Sequence, residues 1–442
     1  MKSTSNEILP QGYKMTELGP LSEEWEVVRL GDVYDVQQGK QLSEKESKEG
    51  KIKKPFLRTS NLNWGNIDIS STDEMYFTTE EFERLRLKSD DILVCEGGDI
   101  GRTALYRGEL AECAYQNHLY RMRPKKDNVN VEFFVFWMNH AINQRGMYTY
   151  SANRTTIPNL SGSRLKEFIF PLPPLPEQQK IAAVLSAVQD AKEKTQAVID
   201  ATKVLKKSMM KHLFTYGPVP PEETENVPLK ETEIGKVPED WEVVKLGEVV
   251  REKITDGTHK TPQYIENGIP FITITNLVNG KIDFSKCRFI SEEEHNFLIN
   301  RCKPEKDDVL LSKVGTLGLT AKICEKDNFS IFVQLALIKP KKEIINSDFL
   351  TYMLNSISIQ NQIEIKSSQS TMKYIGVEKI SQLQIPLPPL PVQQKIASIL
   401  SAIDAKIEAE ENKKKSLEKL FKTLLHNLMT AKIRVNHLEI KV

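Results

Sequence analysis

The chain contains one stretch twice, first as Pro171-Leu-Pro-Pro-Leu-Pro-Glu-Gln-Gln-Lys-Ile-Ala-Ala-Val-Leu-Ser-Ala-Val188 and again as Pro386-Leu-Pro-Pro-Leu-Pro-Val-Gln-Gln-Lys-Ile-Ala-Ser-Ile-Leu-Ser-Ala-Ile403. Proline fixes φ and has no N–H, so each run predicts an extended, polyproline-like segment rather than helix or central strand. Pro176 and Pro391 fall at or just before a first helical turn, where no N–H is needed. We therefore expect two stiff segments, each leading into a long helix.

The rest of the chain is duplicated in the same order. Lys14-Met-Thr-Glu-Leu-Gly-Pro-Leu-Ser-Glu-Glu-Trp-Glu-Val-Val-Arg-Leu-Gly31 returns as Lys230-Glu-Thr-Glu-Ile-Gly-Lys-Val-Pro-Glu-Asp-Trp-Glu-Val-Val-Lys-Leu-Gly247, and two shorter segments, 55–61 and 98–104, return as 270–276 and 315–321. All of these matches keep nearly the same offset along the chain. The sequence is therefore a tandem repeat of one domain.

Each repeat has the pattern of an α+β lobe with many short strands. Trp25–Gly31, Phe56–Asn61, Ser89–Cys95 and Thr103–Tyr106 have strand patterns, and the aromatic-rich stretch Glu132–Ile142 predicts a short packed helix. Gly97–Gly101 predicts a turn between two of the strands.

The two long helices are expected from about Glu177 to His212 and from about Val392 to Ala431. Apolar or small residues recur in the first at positions 181, 184, 188, 191, 195, 198, 202, 205 and 209, and in the second at Leu400, Ile403, Ile407, Leu417, Phe421, Leu424 and Leu428. This is the three-four spacing of a coiled-coil seam. Neither stripe is stable in water, so we expect the helices to pair and to hold the two lobes apart.

The predicted organisation has four segments. Residues 1–170 form an N-terminal α+β domain, and 171–216 form the first proline segment and long helix. Residues 217–385 form a linker and the C-terminal α+β domain, and 386–442 form the second proline segment, long helix and tail.

Composition limits the function classes. The chain has 442 residues and a net charge of +1, so it is not a uniformly basic nucleic-acid binder, although local clusters still contact phosphates. It has no apolar run long enough to span a membrane and no apolar signal core in residues 1–13, so we expect a cytoplasmic protein with no membrane partner. The five cysteines are scattered and predict neither disulfides nor a zinc site.

Catalytic motifs are missing from the sequence. There is no GxxxxGK[ST] phosphate loop, no Asn-Pro-Pro-Tyr or Asp-Pro-Pro-Tyr tetrad of an amino-methyltransferase, and no HExxH or HxH pair among the seven histidines. We therefore expect a chain that is not an enzyme by itself and holds no metal.

Polar loops are the better candidates for function. Asp256-Gly-Thr-His-Lys-Thr-Pro262 predicts either a simple Asx-type turn or a loop that meets bases and phosphates. The basic clusters 121–126 and 339–342 recur in both repeats, and either contact the DNA backbone or serve solubility. The loops 153–157 and 369–373 carry side chains of the kind that read base edges. The predicted DNA-contacting residues are Lys40, Arg58, Asn61, Arg102, Arg154, Thr155, Thr258, His259, Lys260, Asn276, Lys313 and Lys373.

The doubled Pro-Leu-Pro-Pro-Leu-Pro-x-Gln-Gln-Lys-Ile-Ala motif, the Trp-Glu-Val-Val-x-Leu-Gly openings and the Asp256–His259 loop resemble the specificity subunit of type I restriction-modification enzymes. The resemblance covers essentially the whole chain. It implies that the two lobes are target recognition domains, one for each half of a bipartite, asymmetric site in double-stranded DNA. It also implies that the helices form an antiparallel coiled coil that sets the spacer.

The resemblance further implies partners that hold the chemistry. Two methyltransferase subunits would bind beside the helices and carry S-adenosylmethionine, and restriction–translocase subunits would use ATP and Mg. Two other interpretations remain from the residues alone. One is a self-contained nuclease or methyltransferase with an unfamiliar site, and the other is a tandem protein-binding scaffold without DNA specificity.

Overall fold

The computed structural model describes residues 9–42, 49–147, 160–324, 328–368 and 373–439. The chain divides into two compact units, Met1–Gln196 with Asn412–Val442, and Ala197–Glu411. Each unit contains one lobe together with part of each long helix, so packing joins what the sequence separates into lobe and helix segments.

Within the described residues, the first unit begins with eleven strands and four short helices. The strands are β1 (Tyr13–Thr16), β2 (Gly19–Ser22), β3 (Glu26–Arg29), β4 (Tyr34–Gln38), β5 (Ile52–Leu57), β6 (Asp73–Phe77), β7 (Asp91–Cys95), β8 (Thr103–Tyr106), β9 (Ala114–Tyr115), β10 (Leu119–Pro124) and β11 (Ile169–Leu172). The helices are α1 (Leu30–Val33), α2 (Thr79–Leu85), α3 (Val131–Asn139) and α4 (Gly162–Glu167). A 3₁₀ turn, Thr59–Asn61, follows β5, and a π-helical turn, His140–Gln144, follows α3.

The core of this unit lies beneath an antiparallel sheet of order β4-β10-β7-β8. A second sheet has the order β6-β5-β9, in which β5 and β9 run parallel. Trp25, Tyr34, Phe134 and Phe170 are almost fully buried beside α3. Burying aromatic and aliphatic surface of this kind is the main force that holds an α+β lobe together.

The second unit repeats this plan. Its strands are β12 (Leu229–Thr232), β13 (Gly235–Pro238), β14 (Glu242–Lys245), β15 (Thr255–Asp256), β16 (Ile269–Ile272), β17 (Leu277–Val278), β18 (Lys281–Ile282), β19 (Arg288–Ile290), β20 (Val309–Ser312), β21 (Thr320–Lys322), β22 (Ser330–Ile331), β23 (Leu335–Ile338) and β24 (Gln384–Leu387). The order β15-β23-β20-β21 matches the first sheet strand for strand, and β19-β16-β22 matches the second. Helices α6 (Glu292–Leu298), α7 (Ser347–Leu354), α8 (Ile357–Lys366) and α9 (Val377–Ser381) complete the lobe. The tandem repeat predicted from the sequence is therefore confirmed.

The two long helices are α5 (Leu175–Tyr216) and α10 (Leu390–Met429), whose bounds lie within a few residues of those predicted. In the first unit, Gln196 pairs with Lys414 at 2.7 Å. In the second unit, Lys206 of α5 pairs with Asp404 of α10 at 2.6 Å. The residue numbers of the α10 partners fall as those of the α5 residues rise, so the two helices pair antiparallel. No helix within the described ranges is long and apolar enough to cross a membrane.

The predicted seam of α10 is confirmed, and that of α5 is confirmed except at two positions in its second half. Val198 and Leu205 are 40% and 51% exposed, whereas the inward positions are 181, 185, 188, 192, 195, 199, 202, 206 and 209. Two of those positions are lysines, which an apolar pattern does not detect. Lys192 lies 4.8 Å from the Phe421 ring centroid, because the aliphatic part of a lysine packs while its ammonium stays polar.

The proline segments are partly strand rather than polyproline-like throughout. Pro171 pairs with Val27 in β11–β3, and Pro386 pairs with Val243 in β24–β14. Among the described residues each of these sheets has two strands, so a proline there removes no hydrogen bond from a central ladder.

A buried glutamine fixes each proline segment, where the chain turns from the lobe into the long helix (the proline elbow), to its lobe. Gln178 is fully buried, and its Nε2 donates to the carbonyl oxygens of Pro173 and Asn128 at 2.7 and 3.0 Å. Gln393 is equally buried and donates to Pro388 and Ile344 at 2.7 and 3.0 Å. Each lobe is thereby fixed to the start of the helix that follows it.

Candidate nucleic-acid interface

One end of each four-stranded sheet carries a cluster of loops, which we call the loop face. In the first lobe it comprises residues 38–42 after β4, 96–102 between β7 and β8, 116–118 between β9 and β10, and 160–162. Backbone hydrogen bonds join these loops. Lys40 N donates to Tyr115 O at 3.1 Å, and Glu96 N donates to His118 O at 2.9 Å. Leu160 N closes the cluster by donating to Glu96 O at 2.8 Å.

The second lobe has the same loop face. It comprises residues 256–263, 313–319, 332–334 and the described parts of 368–375. Thr258 N donates to Ile331 O at 3.1 Å, Lys313 N to Gln334 O at 2.8 Å, and Ile375 N to Lys313 O at 2.9 Å. These bonds repeat those of the first lobe position by position, so the two loop faces share one backbone design.

A glycine is required where the first loop of each face leaves its strand. A Cβ on Gly39 would lie 2.3 Å from Tyr115 O, and one on Gly257 would lie 2.0 Å from Ile331 O. Both distances are far below any real Cβ contact, so the backbone crosses at a point that only glycine allows. The side chains that follow are thereby held at fixed places on the face.

The two faces differ in charge at equivalent positions. Glu96 follows β7 in the first lobe, and Lys313 follows β20 in the second. Glu96 accepts from Tyr120 Oη at 3.0 Å and lies 3.5 Å from His118 Nδ1. Burial, with a contribution from Glu96, raises the pKa of Tyr120 to about 12, so this phenol stays a donor.

The second face is organised around Asp256. This carboxylate is 8% exposed and is bound by Lys313 at 3.0 Å, by Arg301 at 2.5 Å and by His259 at 3.2 Å. Arg301 and His259 are largely exposed, whereas Lys313 is buried. The arrangement holds two exposed nitrogen-bearing side chains against one interior anion.

Two of the predicted DNA contacts, Lys40 and Arg102, lie on the first lobe's loop face, and two others lie outside the described residues. Lys40 lies on the face, and its ammonium contacts Glu81 at 2.7 Å. Arg102 lies on the β7–β8 loop, where it pairs with Asp99 and donates to Thr59 O at 2.7 Å. Arg154 and Thr155 lie outside the described residues and stay predictions.

The residues predicted in the turn after β5 and its counterpart have structural surroundings. Arg58 is exposed and pairs with Asp73 at 2.7 Å. Asn61 and Asn276 are 3% and 4% exposed, and their amides close the 3₁₀ turn from within. Buried amides whose donors and acceptors are already engaged cannot meet a base without breaking the turn. The structure gives these two asparagines a turn-forming role, and their contact with DNA stays a prediction.

The remaining predicted residues belong to the second loop face. Thr258 and Lys260 form a local turn, in which Lys260 N donates to Thr258 Oγ1 at 3.2 Å. His259 is exposed beside Asp256, and Lys313 lies beneath it. Lys373 is exposed at the edge of the face and pairs with Glu364. All five stay predictions as DNA contacts.

The basic clusters 121–126 and 339–342 lie at the opposite ends of β10 and β23 from the loop faces. Arg121 is 3% exposed and donates to Arg84 O, and Arg123 pairs with Asp91. Lys339 is 6% exposed and pairs with Glu305 at 3.0 Å. These three side chains satisfy internal partners, which argues against a phosphate-binding role for them.

No group of three or more metal-ligating side chains is found among the described residues.

Two segments of the chain, residues 22–201 and 238–419, match the family model described as the type I restriction modification DNA specificity domain. These segments cover more than half of the chain. The chain belongs to this specificity family.

Curated proteins of this family are similar to the chain over most of its length. The chain is 32% identical over 442 residues to the putative type I restriction enzyme MjaX specificity subunit of Methanocaldococcus jannaschii, with 96% of this chain and 97% of that protein covered. It is 24% identical over 404 residues to the EcoBI specificity subunit of Escherichia coli, covering 89% of this chain and 82% of that one.

Solved structures share the fold at low sequence identity. A chain from a structure of type I R-M complex assembly and conformational transition matches with a TM-score of 0.58 and 18% identity, over 93% of this chain and 99% of that one. The type I S subunit from M. genitalium matches with a TM-score of 0.56 and 18% identity, over 91% and 96%.

Sequence reasoning about this member of the specificity family missed four side chains on or beside the loop faces, Gln38, Glu96, His118 and Arg301. Their common feature is a contact between residues distant in sequence, as in Arg301 with Asp256 or Gln38 with Glu96. The repeat is the sequence feature that could have indicated these residues, since Glu96 and Lys313 occupy equivalent positions in its two copies.

Proposed function

We propose that this chain is the DNA sequence-recognition subunit of a type I restriction-modification complex, in which each lobe reads one half of a bipartite, asymmetric site. The observation that carries the proposal is the pair of loop faces. They share one set of backbone hydrogen bonds, yet their side chains differ, with Glu96 in one lobe at the position of Lys313 in the other. A shared frame with different side chains suits two different base sequences, because base edges are read by side-chain donors and acceptors.

The long helices act as the spacer between the half-sites. A helix rises about 1.5 Å per residue, so a continuous element of this length spans more than one turn of duplex DNA. The antiparallel pairing, seen in Gln196–Lys414 and in Lys206–Asp404, stiffens that element. The spacer length is then a property of the helices and not of the loop faces.

Two methyltransferase subunits dock on the helices at equivalent sites. Leu205 of α5 and Leu420 of α10 occupy the same position in the two repeats and are 51% and 45% exposed. Exposed leucines at matching repeat positions fit two copies of one partner, since a duplicated chain offers the same surface twice. Val204, 71% exposed, extends the first of these patches.

The chain contributes recognition, and its partners contribute the chemistry. S-adenosylmethionine is carried by the methyltransferase subunits, and ATP with Mg by the restriction–translocase subunits. The loop faces contribute polar side chains for DNA, and the helices contribute the docking surface. The isolated chain is expected neither to methylate nor to cut DNA.

The test is co-expression with the cognate methyltransferase subunit, followed by methylation-sensitive sequencing of the host DNA. A split, asymmetric methylated motif that disappears when this chain is deleted supports the proposal. A stable complex that methylates DNA without any such motif, or methylation by the chain alone, contradicts it.

A further inference from the structure

Gln38 is held on the first loop face so that its amide oxygen, a hydrogen-bond acceptor, is left for a ligand. Its Nε2 donates to Asn117 O at 2.9 Å and lies 3.4 Å from Glu96 Oε2. Both neighbours are acceptors, so the amide orientation follows from them. The donor side of the exposed amide is committed to the protein, and Oε1 accepts no hydrogen bond from the described residues. Gln38 therefore presents an acceptor.

Arg301 follows α6 and reaches the second loop face by binding Asp256, and it offers the opposite hydrogen-bonding character, that of a donor. Its Nη2 donates to Asp256 Oδ1 at 2.5 Å, and the side chain is 57% exposed. A guanidinium has five N–H donors and no acceptor, so the remaining donors face away from Asp256. Arg301 therefore presents donors only.

Each of these two side chains is thus held by its own lobe, Gln38 by Asn117 O and the half-buried Glu96, and Arg301 by the buried Asp256. Glu96 is 16% exposed and Asp256 is 8% exposed, and each also lies beside an exposed histidine, His118 or His259. A side chain held in one orientation loses little conformational entropy when it binds. These two side chains are therefore pre-arranged, Gln38 to accept a hydrogen bond and Arg301 to donate hydrogen bonds.

Resting on the proposed function, we propose that Gln38 and Arg301 are specificity-determining residues of the two half-sites. Gln38 Oε1 accepts from the exocyclic amino group of an adenine or cytosine in the first half-site. Arg301 donates to O6 and N7 of a guanine in the second. Glu96 and Asp256 are positioning residues that fix these two side chains.

The chemistry follows from the major-groove edges of the bases. Adenine N6 and cytosine N4 are donors and need an acceptor such as a glutamine oxygen. Guanine O6 and N7 are acceptors spaced for the fork of an arginine. A lysine at the arginine position would supply the charge but not the fork, so Arg301→Lys is expected to keep affinity and lose much of the discrimination.

The test uses the chain assembled with its methyltransferase partner and DNA that carries the methylated motif found for the wild type. Gln38→Leu and Arg301→Met remove the hydrogen-bonding group of each side chain while keeping its bulk. Lys125→Met and Lys342→Met are the matched controls, because both lie at the ends of β10 and β23 away from the loop faces. Binding is measured with ordinary DNA and with single-atom base analogues.

Replacing one half-site guanine by 7-deazaguanine is expected to weaken binding of the wild type by roughly 10-fold and to leave Arg301→Met nearly unaffected. Removing the amino group of one adenine or cytosine in the other half-site is expected to weaken binding of the wild type by roughly 10-fold and to leave Gln38→Leu nearly unaffected. The controls are expected to respond like the wild type.

The outcomes separate the two levels of the proposal. If the wild-type complex yields no bipartite motif, the proposed function fails and this inference fails with it. If the motif exists but the effects of analogue and variant simply multiply at every position, neither residue reads a base, and this inference alone is overturned. A loss that is uniform across both half-sites likewise assigns the residue to phosphate binding and overturns it.

Discussion

Gln178 Oε1 accepts the backbone N–H of Asn130 at 2.8 Å, and Gln393 Oε1 accepts that of Asn346 at the same distance. Asn130 and Asn346 are the N-cap residues of α3 and α7 in the two lobes. The first glutamine of each Gln-Gln-Lys motif therefore ties together a proline elbow, a long helix and a helix of the lobe. This explains why the motif occurs in both repeats.

Substituting either glutamine is expected to destabilise its unit. Gln178→Ala leaves buried backbone groups without partners, which costs about 2 kcal/mol. In a unit of this size that loss corresponds to a fall of about 4–8 °C in the melting temperature. Gln393→Ala should behave alike.

The chain supplies matched controls for this experiment. Gln179 and Gln394, the second glutamines of the two motifs, are half-buried and exposed. Their alanine variants are expected to melt within about 1 °C of the wild type, since surface substitutions of this kind change stability little. Equal melting temperatures for Gln178→Ala and Gln179→Ala would disprove the locking role.

Arg434 of the C-terminal tail is expected to be essential for the stability of the first unit. Its guanidinium binds Glu177 at 2.5 and 2.8 Å and Glu24 at 2.5 Å, and Glu177 is only 3% exposed. Arg434→Ala leaves a buried carboxylate without its cation, at a cost of about 3 kcal/mol. Thermal melting of the purified chain measures the loss.

The second repeat suggests the compensating variant. Val392 occupies the position that Glu177 has in the first repeat. The double variant Arg434→Ala with Glu177→Val removes both charges and is expected to be more stable than Arg434→Ala alone. A double variant that melts below the single one would show that the cost comes from lost packing of the tail instead.

The repeat, the two long helices, their pairing and the seam of α10 were all predictable from the sequence, because they depend on local residue spacing. The seam of α5 was predictable only in part, because Lys192 and Lys206 lie inward over aromatic rings while Val198 and Leu205 are exposed. A lysine is counted as polar in any periodicity analysis, although most of its length is apolar.

The loop faces were only partly predictable, since their organisation depends on pairs distant in sequence. Asp256 and His259 belong to one visible loop motif, whereas Arg301 reaches Asp256 from beyond α6. Conversely, Asn61 and Asn276 looked like DNA-reading side chains because they are polar and lie in turns. Polar turn residues also bond to their own backbone, and burial, which a single sequence does not reveal, decides between that role and a ligand contact.

His140 is expected to make the first unit sensitive to acid. It is 1% exposed and contacts His426 at 3.4 Å. Burial, together with His426 and Arg145, lowers the pKa of His140 from 6.5 to about 4. Because the unfolded chain takes up the proton first, stability present above pH 6.5 is lost as the pH falls towards 4, by about 2 kcal/mol at pH 5.

Melting temperatures at pH 7.5 and pH 5 test this assignment. The neutral variant His140→Gln is expected to lose less stability over that interval than the wild type. His437→Gln, which changes an exposed histidine of the tail, serves as the control. An identical pH response in the wild type and His140→Gln would place the acid sensitivity elsewhere.

The exposed leucines predict the stoichiometry of the complex. Leu205→Glu is expected to leave one methyltransferase subunit bound, Leu420→Glu likewise, and the double variant none, because a charge in an apolar contact carries an uncompensated desolvation cost. Native mass spectrometry of the co-expressed complex gives the count. Ala187→Glu, at an exposed position elsewhere on α5, should retain both subunits. Retention of both by the double variant would remove these leucines from the docking surface.

Lengthening both helices by one heptad is expected to lengthen the spacer of the methylated motif. Seven residues inserted after Gln196 in α5 and seven after Glu411 in α10 keep both seams in register, because the inward positions repeat every seven residues. Seven residues add about 10 Å of helix, which is the rise of about three base pairs. Methylation-sensitive sequencing is expected to find the same two half-sites with a spacer longer by about three base pairs.

An insertion in α5 alone puts its seam out of step with α10 and is expected to abolish the motif. An unchanged spacer in the doubly lengthened chain would show that something other than the helices sets the separation of the half-sites.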